Sequence, residues 1–191
     1  MATITTNNYR IGGCDIYFDT SVAHASLLAT NTAQQTVGSP FRVAKRNMGN
    51  IVTQEFSPDV TYIEHYISKN GSRSKDLTQV NNKAITIPFT FDEINGTNLK
   101  RFFLGSNIQA GNKTKIAIMQ EALRTGSVSL LFRTAIGRTF AYTCPKAVIR
   151  PDGAMALNVE DWWTAPMVLE VLYYDTGEWA SKPYGLITMN P

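Results

Sequence analysis

The amino-acid sequence predicts a mainly β protein, a sandwich or barrel-like fold with one flanking α-helix at about 95–104. Three observations lead there. Short runs rich in β-branched and aromatic residues recur along most of the chain. Gly, Asn and Pro turn signals separate them. A change to helical period is clear in one segment only. With 191 residues, the chain fits a single domain that can bury a full core without staples.

The elements follow in order. Residues 1–13 read as a polar N-terminal arm, and Cys14–Asp19 as a short first strand. Residues 20–40 lack periodicity and read as a long surface loop. Phe41–Lys45 alternates again, and Gly49-Asn50 marks a turn. Ile51–Ser57 and Val60–Ile67 are predicted strands, broken by Pro58-Asp59. Asn70-Gly71 supplies the positive φ angles of a tight reversal, and the polar stretch around it (68–83) reads as a loop. Ala84–Phe91 is the clearest strand: Ile85, Ile87, Phe89 and Phe91 share one face, and Thr86, Pro88 and Thr90 the other. Pro88 lacks the ladder N–H, so it belongs at an edge or a bulge. Leu99, Phe102 and Phe103 then fall at i, i+3, i+4, with Asn95 or Thr97 as cap and Gly105 as stop. This helix is expected to lay its apolar face on a sheet. A second short helix is expected at about 115–125, with a strand at Lys115–Met119 as the alternative. Val128–Arg133 and Arg138–Thr143 form a hairpin. Ala147–Arg150, Ala154–Asn158 and Pro166–Tyr173 complete the strands, and the tail 176–191 reads as irregular.

Composition narrows the function. Charged residues are only 17% of the chain and the net charge is +3, which excludes a disordered polyelectrolyte and a dedicated nucleic-acid binder. No apolar run approaches the ~20 residues of a membrane helix, and Met1–Asn8 does not read as a signal peptide. A soluble protein made in a reducing cytoplasm, with Cys14 and Cys144 as free thiols, is expected. No cofactor or metal is expected, because neither His24 nor His65 has a partner at ligand spacing. No nucleophile elbow supports a triad. Asp92-Glu93 fits a helix start better than a catalytic pair. Trp162-Trp163, on a strand, would put one ring in the core and the other at a surface. Exposed aromatics on a β-sandwich also suit a carbohydrate-binding module, the second class considered.

Two segments are the most specific, Glu64-His65-Tyr66-Ile67-Ser68-Lys69-Asn70-Gly71-Ser72-Arg73-Ser74-Lys75-Asp76 and Asp92-Glu93-Ile94-Asn95 followed by Asn98-Leu99 and Phe102-Phe103-Leu104-Gly105-Ser106. Together with Ile16–Asp19, Met48–Ile51, Pro151-Asp152-Gly153 and Val159–Trp162, they resemble the major tail tube proteins of long-tailed (siphovirus-type) bacteriophages. Those are related to the tubes of contractile tails and type VI secretion. The resemblance runs from about residue 14 to 175. Residues 20–40 are longer than the pattern, and Gly105–Ser127 is shorter.

The resemblance implies a non-enzymatic structural subunit of the virion tail, assembled in the host cytoplasm. Six copies would form a ring whose inner sheets join into one barrel, and rings would stack into a conduit for DNA. About two dozen tilted strands give a backbone diameter of roughly 50 Å, wide enough for a duplex. Partners would be other copies of the chain, a tape measure protein in the lumen, and tail tip or baseplate and terminator proteins. DNA would pass without specific binding, and no membrane is involved. The loop carrying Lys69, Asn70, Gly71, Arg73, Lys75 and Asp76 would contact the next ring. Glu55, Glu64, Thr86 and Thr90 would line the lumen, where a neutral or acidic surface lets DNA slide. Leu99, Phe102 and Phe103 would pack the helix on the sheet. A baseplate or secretion-tube ring protein is a close variant of the same reading.

Overall fold

The computed structural model describes residues 13–20, 47–110, 113–133 and 139–189. Expectations for the N-terminal arm (1–13), the loop at 20–40 with His24, the strand at 41–45 and the turn at 134–137 fall wholly or almost wholly outside these residues. The class is the expected one, mainly β and barrel-like with one short α-helix among the described residues. The strands are β1 (Cys14–Asp19), β2 (Ile51–Gln54), β3 (Ser57–Lys69), β4 (Ser72–Phe91), β5 (Ser106–Ala110), β6 (Lys113–Ala117), β7 (Arg124–Arg133), β8 (Thr139–Pro151), β9 (Ala165–Val171) and β10 (Leu186–Met189). Helix α1 (Gly96–Phe102) lies between β4 and β5.

The main sheet runs β1-β7-β8-β9-β4-β2, with β3 on β4 and β10 on β8, and every pairing in it is antiparallel. Its two ends meet. Asn47 bridges Tyr17, and the Met48 N–H donates to the Ile16 carbonyl at 2.8 Å. The sheet thus curls into a nearly closed barrel, which hides most of the edges an open sheet would expose.

The inward residues of each strand make one core. Ile16 and Phe18 come from β1, Ile87, Phe89 and Phe91 from β4, Val128 and Leu130 from β7, Ala147 and Ile149 from β8, and Met167 and Leu169 from β9. Each fully buried side chain of this size contributes about 1.5–3 kcal/mol. The face predicted for Ala84–Phe91 is therefore the buried one, with Ile85 packed at its margin.

Pro88 sits in the middle of the sheet rather than at an edge, facing Val168 of β9 on one side. On its other side the Glu55 N–H donates to the Pro88 carbonyl at 2.9 Å, and the neighbouring strand is interrupted there, between β2 and β3. In an antiparallel ladder a residue's N–H and C=O address the same neighbour. The missing proline donor therefore falls on the interruption. The break comes at Glu55-Phe56, not at Pro58-Asp59, which pair within β3.

Other expectations need correction. The second helix at 115–125 is absent and its alternative, a strand, is found two residues earlier: Lys113–Ala117 is strand β6, paired with β5, and Met119 takes a positive φ of 55° before β7 begins. The stretch 68–83 is not a loop, because β4 runs unbroken from Ser72 into the core. Ala154–Asn158 is not a strand and makes only the single bridge Ala156–Thr164. The tail from 176 contains a 3₁₀ turn at Gly177–Trp179, and β10 adds to β8.

Helix α1 starts where predicted. The Asn95 side chain accepts from the Thr97 and Asn98 N–H groups at 3.0 and 2.9 Å. It ends through Leu104, which takes the left-handed conformation at φ 47°. Gly105 is part of this stop, its N–H donating to the Lys100 carbonyl at 2.8 Å, and it has a second task. The Ile116 side chain and the Ala117 carbonyl occupy the space a Cβ would need there.

Candidate functional site

One part of the molecule stands outside the barrel. Strand β9 covers β4 only from Ile85 to Phe91. Beyond Ala84, β4 and β3 continue as a two-stranded hairpin to the turn at Asn70-Gly71, whose φ angles of 53° and 78° are those of a tight reversal. From Val60 to Lys69 it projects about 30 Å at ~3.3 Å per residue. Every residue of β3, and of β4 as far as Lys83, is exposed.

The projecting hairpin is not polar throughout. Two bulges in the pairing, at Thr61/Tyr62 and at His65/Tyr66, leave Asn81 and Asp76 of β4 unopposed and set which residues share a face. Cross-strand partners share a face. On one face lie Val60, Tyr62, Glu64 and Tyr66 with Val80, Lys75 and Arg73. On the other lie Ile63, His65 and Ile67 with Leu77 and Gln79. Tyr62 and Ile63 are each 58% exposed, and Leu77 is 55% exposed. Both faces thus carry apolar side chains in water.

The polar side chains hold the hairpin to itself. Glu64 accepts from Lys75 and from the Tyr66 hydroxyl. These bonds hold its carboxyl below, and the Lys75 amine above, its ordinary value. The Arg73 guanidinium lies 4.5 Å from the centre of the Tyr66 ring. His65 Nδ1 is 2.6 Å from Asp76 Oδ1, a pairing that the bulge at Asp76 makes.

The residues expected at a ring contact, Lys69, Asn70, Gly71, Arg73, Lys75 and Asp76, are brought together at the free end of this hairpin. The four expected lumen residues are not brought together. Glu55 is exposed at the break between β2 and β3, and Glu64 is on the hairpin, tied to Lys75. Thr86 and Thr90 are half-buried on the outward face of β4, opposite Glu170 and Pro166 of β9.

Helix packing keeps two of the three expected residues, Phe102 and Phe103, and adds two that were not expected. Phe102 is in the core, and Phe103 packs edge-on against it at 5.1 Å between ring centres. Leu99 is only half-buried. The residues buried beside Phe102 are instead Asn98 and Arg101. The Asn98 amide donates to the Met48 and Glu93 carbonyls at 2.8 and 2.9 Å, and Arg101 donates to Asn98 Oδ1 at 3.3 Å. Burial, with Arg124 nearby, lowers the Arg101 pKa to about 10 against the pull of Asp19. This polar node fastens the segment before β2 to the helix. Asp92, outside the helix, accepts twice from the Asn50 amide at 2.9 and 2.8 Å.

A second exposed feature is the β8–β9 loop, 152–164. Trp162 is 77% and Trp163 51% exposed, so neither ring enters the core. The sequence expectation assumed a strand there, and the residues lie in a loop instead. The Trp163 indole N–H donates to the Asn158 carbonyl at 3.0 Å, and the Asp161 carboxylate accepts from the Trp162 N–H at 2.7 Å. Leu157 and Val159 are exposed beside them.

Among the described residues no cluster of three His, Cys, Asp or Glu side chains is placed to hold a metal, and no helix is long and apolar enough to cross a membrane. Cys144 is buried and Cys14 half-buried, both as free thiols, and burial pushes each up to about 12. Compared with known proteins, the chain matches no family model. No curated protein matches it significantly.

Proposed function

We propose that this chain is the repeating subunit of a protein tube, assembling with other copies of itself into rings that stack into a hollow conduit of the phage-tail type. The observation that carries the reading is the projecting hairpin. Two strands alone are marginal in water. This pair also keeps Tyr62, Ile63, Ile67, Leu77 and Val80 exposed. Contiguous apolar surface on an ordered element signals an interaction site. Among the described residues its outer edges are unpaired along most of its length. A second copy would satisfy both needs, covering the apolar faces and continuing the ladders.

In this reading the chain is not an enzyme and uses no cofactor. Six copies form the ring, with a tape measure protein in the lumen and tip and terminator proteins at the ends. DNA moves through without being gripped. Glu55, Thr86 and Thr90 remain candidates for the lining, and Glu64 belongs with the inter-subunit hairpin.

Negative-stain electron microscopy of the concentrated recombinant protein tests this. Six-fold rings or hollow tubes are expected, and a uniform field of monomer-sized particles would contradict it. A second reading, a carbohydrate-binding module, is favoured by one observation, the exposed Trp162 and Trp163 rings. It predicts a stable monomer whose tryptophan fluorescence responds to polysaccharide.

A further inference from the structure

The two exposed apolar features lie at opposite ends of the same sheet. The hairpin leaves the body where Ile85 pairs with Val171. The 152–164 loop leaves it where Phe91 pairs with Ala165 and Pro151 with Met167. The six steps along β4 between those pairs separate the two ends by about 20 Å. Both features are exposed in the single chain, so neither covers the other.

Their chemistries match. Between Pro151 and Ala165 the chain has Asp152, Glu160 and Asp161 and no lysine or arginine. The end of the hairpin presents Lys69 and Arg73, together with Lys75, which pairs with Glu64. Aromatic and apolar side chains flank the charges on both sides: Tyr66 and Ile67 on the hairpin, Leu157, Val159, Trp162 and Trp163 on the loop. Trp, Tyr and Arg are the residues most often found at the energetic centre of an interface.

We infer that the hairpin end of one copy docks on the 157–163 loop of another, with Lys69 and Arg73 against Glu160 and Asp161 and the tryptophans covered. The inference rests on the self-assembly reading and adds the acceptor surface. A patch that meets a different patch at the far end of the next copy makes a heterologous contact, which propagates head to tail. Opposite charges would set the register and direction of growth, because the reversed orientation brings like charges together.

Charge exchange between copies tests it. One variant carries K69E and R73E, another E160K and D161K, and a third all four changes. All are surface changes, and circular dichroism and melting check that each folds. Readouts are the sedimenting fraction and the blue shift of tryptophan fluorescence on assembly. Each two-site variant alone is expected to need about tenfold or more protein to assemble. An equimolar mixture of the two, or the four-site variant alone, should regain assembly, since every hairpin then meets an oppositely charged loop.

Folded two-site variants that assemble like the wild type, or a mixture that gains nothing over its components, would overturn the pairing while leaving the tube reading intact. A wild-type chain that neither sediments nor shifts its fluorescence at high concentration would overturn both.

Discussion

The two halves of β4 belong to one unbroken strand and live in opposite environments. From Ile85 to Phe91 the strand has neighbours on both edges, and one face is sealed in the core. From Ser72 to Lys83 it has one neighbour among the described residues, and every residue is exposed. Both halves carry apolar side chains: Ile87, Phe89 and Phe91 share one buried face in the inner half, whereas Leu77 and Val80 lie on opposite faces in the outer. The difference teaches that apolar side chains on a strand report faces meant to be covered, not where the cover comes from. In the inner half the same chain supplies it. In the outer half, on the reading proposed above, another copy does.

The contrast is broken most severely by removing the outer half. Replacing 61–82 with Asn-Gly joins Val60 to Lys83 through a two-residue turn. The barrel is expected to fold with a melting temperature close to the wild type and to lose assembly completely. Loss of folding in this variant, seen by circular dichroism, would mean that the hairpin supports the body. Next in size is a core truncation. Phe102→Ala should cost about 3–5 kcal/mol, a large part of the 5–15 kcal/mol of an ordinary domain, in denaturant titration. Ile63→Ser, its counterpart on the hairpin, should change monomer stability by no more than about 0.5 kcal/mol while weakening assembly.

A smaller effect sharpens the view of the body. Asn98→Ala leaves the Met48 and Glu93 carbonyls without their donor and should cost about 1–3 kcal/mol. Cys144 is fully buried, with its thiol pushed up to about 12, so a disulfide reagent at pH 8 should label it only as fast as the barrel opens. The smallest effect is the pH response of the exposed Glu64–Lys75 pair. Its Glu64 contribution is full above the ordinary carboxyl value of 4.5 and is lost as pH falls through the lower folded value. Its Lys75 contribution is full below 10.5 and is lost as pH rises through the higher folded value. The side-chain carbon shifts of Glu64 and Lys75, read directly at the two groups, should therefore move outside those limits.

The inner half of β4, the β1 strand, the Asn95 cap and the Asn70-Gly71 turn were legible in the sequence because each is decided by local pattern. The outer half was not. Arg73–Lys83 contains only Leu77 and Val80 as large apolar residues, too few to read as a strand without Val60–Ile67 beside it. The signal available was that second run, long enough to pair with it across Asn70-Gly71. The helix at 115–125 was misread because Ile116, Met119 and Leu123 also suit helical spacing, and pairing with β5 decided otherwise. Asn98 and Arg101 were missed because polar residues are expected outside, and their burial depends on carbonyls and a ring from distant segments, Met48 and Phe18. The hairpin end of the candidate site was readable from its charges and turn. The loop at 152–164 was flagged only by Trp162-Trp163, with the wrong element assigned.

Hydrogen–deuterium exchange at two protein concentrations tests the central claim most directly. In dilute solution the amides of 60–83 should exchange orders of magnitude faster than those of Ile85–Phe91. At assembling concentration the hairpin should become protected while the barrel hardly changes. Hairpin amides that exchange at one rate at both concentrations, fast or slow, would contradict the claim that a second copy completes this strand.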